Sequence, residues 1–142
     1  DFPVVFGTRT HETTILEGAA MGLLRKLADV FEGKVIEVLF ATHTLTDIGC
    51  TYKLFHREAI ERIRGKWREG SPLFATELIL LTVTERLPFI EVPITFRERV
   101  GTSTLTHTFW QQAWWGVRIL GYILTFWVRW MTSKVKRARQ TK

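Results

Sequence analysis

The stretch IEVPITFRERVGTSTL, residues 90–105, carries the pattern that decides the fold. In its first half, apolar side chains occupy every second position, and polar or proline residues lie between them. This period of two predicts a β-strand with one apolar face. The apolar positions are Ile90, Val92, Ile94 and Phe96.

The second half of this stretch predicts a loop that suits a phosphate group. Gly101 can adopt backbone angles closed to other residues, which lets main-chain N–H groups turn toward a ligand. Arg99 and Ser103 flank this glycine, and an arginine fork and a hydroxyl both pair well with phosphate oxygens. From the residues alone, a polar loop that binds nothing remains an equal alternative.

The composition indicates one domain with its own core. The chain has 142 residues, of which 46% are hydrophobic. It begins with Asp1 rather than Met and enters almost at once the apolar run at residues 2–6, without a charged leader. We therefore expect a piece of a longer polypeptide.

Charge is spread unevenly along the chain. Residues 1–98 hold 12 lysines and arginines against 14 acidic residues, whereas residues 99–142 hold the other 8 basic residues and no acidic residue. This asymmetry predicts a polyanionic partner for the C-terminal third, either nucleic acid or an anionic membrane.

Cysteine and histidine usage argues against a metal site built from this chain. The single Cys50 excludes an internal disulfide and a zinc site based on cysteine pairs. The four histidines do not show the spacing of metal ligands. We expect no metal-binding residue here.

Alternating strand and helix patterns predict an α/β chain. A glycine at position 33 is a candidate break within the first helical pattern. We predict strands over residues 2–6, 51–55 and 90–97, and helices over residues 14–40, 57–64 and 74–86.

Three polar side chains in these elements are candidates for a site. Arg9 follows the first strand, and open α/β sheets bind ligands at the carboxyl ends of their strands. Asp47 is either a turn former or a site carboxylate. Glu77 lies near the apolar face of its helix, where a carboxylate needs a partner or a site. A solvated arginine is the alternative interpretation of Arg9.

The last segment, residues 108–139, holds five of the six tryptophans and a narrow polar stripe. Arg118 and Arg129 bracket only ten residues, about 15 Å of helix, whereas a membrane span needs about 20 residues. We therefore expect an amphipathic helix in the membrane interface, with its basic stripe and tail toward lipid phosphates. A helix packed on a partner domain is the alternative.

Five segments, which keep the order and spacing that they have in a known family, carry a resemblance to that family. They are FGTRT at 6–10, EGAAMGLLRKLADV at 17–30, LTDIGCTYKLFHREAIERI at 45–63, FATELILL at 74–81 and IEVPITFRERVGTSTLT at 90–106. Together they resemble the C-terminal half of family-two glycosyltransferases, in particular dolichol-phosphate mannosyltransferase and related polyprenyl-phosphate sugar transferases.

The resemblance implies a partial GT-A, Rossmann-like α/β fold. Residues 1–106 would be the acceptor-side half, and residues 107–142 would be a Trp-rich amphipathic, membrane-interfacial helix with a basic tail. The nucleotide-binding half, with the Asp-x-Asp motif that holds a divalent cation (Mg or Mn), would precede Asp1. The isolated chain would then be inactive.

The resemblance also implies roles for individual residues. Arg9, Arg25 and Arg99 match arginines that grip acceptor or donor phosphates, the last within an R-x-G-x-S loop that includes Gly101 and Ser103. Asp47 matches the carboxylate at the active-site floor and is the candidate catalytic residue. Lys53, a further candidate, stands where many relatives have arginine.

The chemistry depends on the acceptor. A lipid phosphate is already an anionic nucleophile, so that positioning and charge neutralisation suffice. A sugar hydroxyl would need a carboxylate base, and Asp47 and Glu77 are the candidates.

We therefore expect a membrane-associated, inverting hexosyltransferase at the cytoplasmic face, with a nucleotide-sugar donor, a polyprenyl phosphate or related lipid-linked acceptor and no nucleic-acid partner. The alternative is a non-catalytic membrane-binding or scaffolding module.

Overall fold

A computed structural model describes residues 2–9, 23–95 and 108–140. Within these residues the chain forms three strands, β1 (Val4–Thr8), β2 (Lys53–Phe55) and β3 (Phe89–Pro93). The helices are α1 (Leu23–Phe40), α2 (Arg57–Ile63), α3 (Phe74–Thr84) and α4 (Phe109–Gln140), and a 3₁₀ turn at Arg64–Lys66 follows α2.

The strands form one mixed sheet in the order β2-β1-β3. The central strand β1 pairs antiparallel with β2 and parallel with β3. The parallel pair is reached through the helical connections that such a crossover needs. The predicted α/β class is confirmed. The first strand begins two residues later than predicted, and β3 ends at Pro93, before the predicted end at residue 97.

One face of the sheet and three helices share the core. Val4, Phe6 and Phe89 project from this face and are buried, with the rings of Phe6 and Phe89 5.3 Å apart. They join a single apolar cluster that includes Ile36 of α1 and Leu80 of α3. Because burying apolar surface is the main favourable term in folding, this cluster holds the helices on the sheet.

The opposite face of the sheet carries apolar side chains that the described helices leave exposed. Val5, Leu54 and Ile90 lie side by side in the strand register, and Leu54 and Ile90 are 53% and 39% exposed. Val92 is 42% exposed. The alternation predicted for β3 is therefore present, but its apolar side faces away from the core, and Phe89 is the buried residue of the strand.

Helix α1 passes through Gly33 without a break, so the predicted division at this residue is wrong. The glycine serves close packing instead. A Cβ atom at position 33 would overlap the backbone oxygen of Leu45, in the loop that follows α1. The absent side chain lets this loop lie directly on the helix.

Replacing Gly33 by Ala is expected to destabilise the fold by about 2 kcal/mol, because the overlap is with backbone, which yields less readily than a side chain. This destabilisation is the net change, after the ~1 kcal/mol that alanine gains over glycine in helix propensity. Chemical denaturation measures the change. Gly65→Ala is the matched control, since a Cβ there meets nothing within 4 Å; equal stability of the two variants would contradict this account of Gly33.

Helix α3 is buried nearly all round rather than on one face. Ile79 and Leu80 are its most buried apolar residues, and Phe74 and Leu78 are half-buried. A helix that is apolar on all sides is typical of a core position between other elements.

Helix α4 packs against α1 and α3. Ile119 and Ile123 are buried in the common core, and the indole N–H of Trp127 donates to the backbone oxygen of Leu39 at 2.9 Å. Trp130 lies 5.3 Å from the ring of Phe40. Among the described helices, none combines the length and hydrophobicity needed to cross a bilayer.

Candidate functional site

Arg9 and Asp47 form a buried ion pair where β1 ends. The Nε and Nη2 atoms of Arg9 donate to Oδ2 and Oδ1 of Asp47, each at 2.8 Å. The backbone N–H of Arg9 donates to Oδ2 as well, also at 2.8 Å. The two residues are 9% and 1% exposed. This bidentate contact uses the planar guanidinium group of arginine, and lysine cannot reproduce it.

A second carboxylate lies beside the same guanidinium. Asp29 of α1 approaches Nη2 of Arg9 to 3.7 Å and is itself buried. Burial alone would lower the pKa of Arg9, but the hydrogen bond and negative charge of Asp47, with the charge of Asp29, leave that pKa raised. Arg9 is therefore a fixed positive charge that links the end of β1 to α1 and to the Asp47 loop.

Gly49 allows this close approach. A Cβ atom at position 49 would lie 2.7 Å from Oδ1 of Asp29 and 3.3 Å from Nη2 of Arg9. A larger residue here would displace the Asp29 carboxylate or the Arg9 guanidinium. The Asp-Ile-Gly sequence at 47–49 thus supplies both the carboxylate and the space that the arginine needs.

Two further carboxylates hold the loop before Asp47. Glu91 of β3 accepts from the backbone N–H of Thr46 at 3.0 Å and from its hydroxyl at 2.7 Å. Glu37 of α1 accepts from the N–H of Leu45 at 2.6 Å. The Thr46 hydroxyl also lies 2.9 Å from that of Thr8. The loop is therefore fixed to β1, β3 and α1 together, which makes the position of Asp47 rigid.

Lys53 lies within the same region. Its ammonium group donates to the backbone oxygen of Cys50 and lies 5.5 Å from the centre of the Phe6 ring. Burial lowers the pKa of Lys53 to about 8. Cys50 is buried, and burial raises the pKa of its thiol. A buried thiol of raised pKa is a poor nucleophile, so Cys50 is a packing residue.

The structure thus brings together three of the predicted site residues: Arg9, Asp47 and Lys53. The side chain of Arg25, which precedes Asp29 by one helical turn, lies outside the described residues. So do Arg99, Gly101 and Ser103, and their predicted phosphate contacts remain predictions.

Glu77 lies apart from this group and has structural partners. Its carboxylate accepts from the backbone N–H groups of Arg68 and Glu69, at 3.2 and 3.0 Å. Burial, then the charge of Glu77 and a hydrogen bond to it, raise the pKa of the Tyr122 hydroxyl in α4. Glu77 therefore joins the loop before α3 to α4, which meets the need for a partner recognised in the sequence.

Sequence reasoning missed Asp29, Glu32 and Glu91 as parts of this region. Asp29 and Glu32 lie three positions apart on α1, the spacing that puts two side chains on one helical face. This spacing could have identified the two residues as a pair from the sequence. The role of Glu91 could not be predicted from the sequence, because it depends on β3 pairing in parallel with β1.

The described residues do not fit a divalent cation. No group of three or more His, Cys, Asp or Glu side chains comes together among them in the manner of a metal site. Both oxygens of Asp47 are already bonded to Arg9. We therefore derive no step through a metal bound to this part of the chain.

Glu32 makes stability depend on pH. It is buried, and its Oε1 atom would lie 3.3 Å from a Cβ atom on Gly116 of α4. Burial, and then the charge of Asp29, raise the pKa of Glu32 to about 8 from an ordinary value of 4.5. Between these values the folded chain binds more protons than the unfolded chain, so this carboxyl makes stability fall as pH rises from 4.5 to 8.

Glu32→Gln is therefore expected to stabilise the fold at pH 8 relative to the parent and to flatten this pH dependence. Urea midpoints across that range measure the effect. Glu58→Gln, at an exposed position, serves as the control. If the urea midpoints of Glu32→Gln and the parent change with pH in the same way, Glu32 does not titrate in this range.

Comparison with known proteins gives one informative relative. The chain is 24% identical, over 100 residues, to the dolichyl-phosphate beta-glucosyltransferase of Saccharomyces cerevisiae. The match covers 70% of this chain and 30% of that protein. No family model matches the chain, and no solved structure gives a significant match. This distant similarity supports the resemblance to glycosyltransferases at the general level.

Proposed function

We propose that the chain is the acceptor-side half of a family-two, GT-A glycosyltransferase that transfers a sugar, with inversion, from a nucleotide-sugar donor to a polyprenyl phosphate. The observation that carries the proposal is the buried Arg9–Asp47 pair at the carboxyl end of β1. That edge is where open α/β sheets bind ligands. The similarity to a dolichyl-phosphate glucosyltransferase supports the same conclusion.

The state of Asp47 favours a phosphate acceptor over a sugar hydroxyl. A general base must reach the proton that it removes. Asp47 is 1% exposed, and its two oxygens already accept three N–H donors from Arg9. A lipid phosphate needs no such base, because one of its oxygens can attack the anomeric carbon directly while the nucleoside diphosphate leaves.

In this proposal Asp47 is a positioning residue rather than a base. It holds Arg9 at the end of β1, and Arg9 in turn fixes the loop against α1. Arg25, Arg99 and the loop residues Gly101 and Ser103 supply the contacts to phosphate oxygens. Arg9, which the sequence also predicted to bind phosphate, has its Nε and Nη2 atoms on Asp47 and acts in this proposal through that contact. Catalysis then rests on orientation and charge neutralisation.

The sheet face that the described helices leave exposed supports a longer polypeptide. Sheets of doubly wound α/β proteins are covered on both faces, and large exposed apolar patches mark interfaces. Here Leu54, Ile90 and Val92 lie exposed on one face. The chain spans 30% of the length of the glucosyltransferase that it matches. We propose that a nucleotide-binding half, which holds the divalent cation, covers this face.

This division of labour predicts that residues 1–142 alone do not turn over a nucleotide sugar, whereas the full-length polypeptide does. Transfer of labelled sugar to polyprenyl phosphate compares the two. Turnover by the isolated chain at the rate of the full-length protein would show that the chain needs no second half.

We further propose that α4 lies on the cytoplasmic face of a membrane. Its side away from the core carries apolar residues at steps of three, four or seven, which defines an outer apolar face. Such a face, next to basic residues and with exposed indoles, suits the headgroup region. The members are Trp110, Trp114, Val117, Leu124, Val128, Met131 and Val135, all exposed.

Three tryptophans do not take part in this face. Trp115, Trp127 and Trp130 pack against the core, whereas Trp110 and Trp114 are 78% and 64% exposed. Deleting α4 would therefore remove core contacts as well as a membrane contact. Point substitutions on the outer apolar face separate the two effects.

Trp110→Ser with Trp114→Ser is expected to weaken binding to phosphatidylcholine–phosphatidylglycerol vesicles at least about tenfold, since two large apolar side chains lose their burial in the interface. Vesicle sedimentation measures it. The matched control is Tyr52→Ser with Leu54→Ser, which removes two exposed apolar side chains from β2 and the residue before it. If the control pair lowers binding as much, α4 is not the membrane-facing element.

A further inference from the structure

A cavity of about 510 Å³ lies far from the Arg9–Asp47 pair, at the other end of α1. It is bordered by the C-terminal residues of α1 and α3 and by the side of α4. Asp29, which contacts Arg9, precedes Phe40 in the cavity wall by eleven residues of α1, about 16 Å of helix. The cavity is therefore separate from the proposed acceptor site.

The charged groups of this cavity are cationic. Arg86 and Lys134 line it, and none of the described side chains that line it is acidic. Helices α1 and α3 end here, at Phe40 and Thr84, and each end contributes about half a negative charge. Two full positive charges exceed this, so the cavity is suited to an anion.

The rest of the wall is apolar and aromatic. Phe40 and Trp130 pack with ring centres 5.3 Å apart, next to Leu39 and Val83. The ammonium of Lys134 lies 3.8 Å from the centre of the Trp130 ring, which holds the charge at the apolar wall. The volume is in the range of sites for small organic ligands, which combine apolar walls with a few polar groups.

We propose that this cavity binds a phosphate group carried on an apolar body, with Arg86 and Lys134 on the phosphate and with Phe40 and Trp130 against the apolar part. Arg86 can engage two phosphate oxygens through its fork, and Lys134 adds a point charge. An anionic phospholipid and a soluble aryl phosphate share this chemistry. The proposal does not depend on the glycosyltransferase function.

Calorimetric titration of the chain with dihexanoyl phosphatidic acid, below its micelle concentration, tests the proposal. Saturable binding of one molecule is expected, and Arg86→Gln with Lys134→Gln should weaken it about tenfold or more, since two charge-assisted contacts are lost. The matched control, Arg64→Gln with Arg68→Gln, removes the same charge at exposed positions and should leave the affinity unchanged. Circular dichroism checks that both pairs fold.

Three further ligands show which chemical groups the cavity requires. Phenyl phosphate, as the soluble aryl phosphate, and phosphatidic acid both contain the required groups, and the tighter binder identifies the source. Inorganic phosphate and dihexanoyl glycerol each lack one group and should bind weakly. The proposal would be overturned if inorganic phosphate or dihexanoyl glycerol bound as tightly as phosphatidic acid. Unchanged binding of phosphatidic acid after the Arg86 and Lys134 substitutions would overturn it as well.

Discussion

Asp47→Ala is expected to destabilise the fold by about 3 kcal/mol, the largest effect on stability that we predict for a single polar residue. The substitution leaves the guanidinium of Arg9 buried without its two-pronged partner, and breaking a buried ion pair from one side is strongly unfavourable. It also releases the backbone N–H of Arg9. Urea denaturation, followed by circular dichroism, measures the free energy of unfolding.

The paired control is Arg9→Met with Asp47→Leu. Replacing both partners by apolar residues leaves no buried charge uncompensated within the pair, but it also removes the positive charge beside the buried Asp29, so it should recover only part of the stability that Asp47→Ala loses. Glu58→Ala, at an exposed helical position, should change stability by less than about 0.5 kcal/mol. A loss of that small size in Asp47→Ala itself would mean that the ion pair does not hold the site.

Arg99→Ala is expected to lower the proposed sugar transfer by the full-length polypeptide about 30- to 1000-fold. In our proposal Arg99 neutralises a phosphate during transfer, and losing one such contact costs about 2–4 kcal/mol in the transition state. Arg99→Lys should recover only part of the rate, because lysine keeps the charge but loses the fork. Transfer of labelled sugar to polyprenyl phosphate measures the change.

Arg68→Ala is the control for Arg99, because Arg68 is an exposed arginine outside the proposed site. It should leave turnover nearly unchanged. Circular dichroism confirms that each variant folds. A rate for Arg99→Ala within about threefold of the parent, in a folded protein, would favour the interpretation of residues 99–103 as a loop that binds no phosphate.

The sequence was informative where a residue's surroundings are local. Helical periodicity predicted α1, α2 and α3, and the position of Arg9 after an apolar run marked the end of β1. Arg9 and Asp47 were each candidates, but their partnership was not predictable, because 38 residues separate them. Only the packing of the loop on β1 and α1 shows that the two belong to one ion pair.

The sequence was less informative where packing decides. Alternation in β3 showed that one side is apolar, but not that this side is left uncovered while Phe89 enters the core. Gly33 has the signature of a helix break, and the contact with Leu45 that explains it lies outside the helix. The tryptophans of α4 formed one group in the sequence, whereas their angular positions divide them between the core and the outer apolar face.

The most direct test of the central claim compares two acceptors that differ only in the phosphate. The full-length polypeptide that contains this chain is given a labelled nucleotide sugar with either a polyprenyl phosphate or the corresponding polyprenol. We predict labelled lipid from the phosphate and none from the alcohol, because in our proposal Arg25 and Arg99 supply positive charge, and Asp47, the candidate base, is buried against Arg9. Equal transfer to the alcohol, or transfer to neither lipid by a folded protein with its donor bound, would contradict the account.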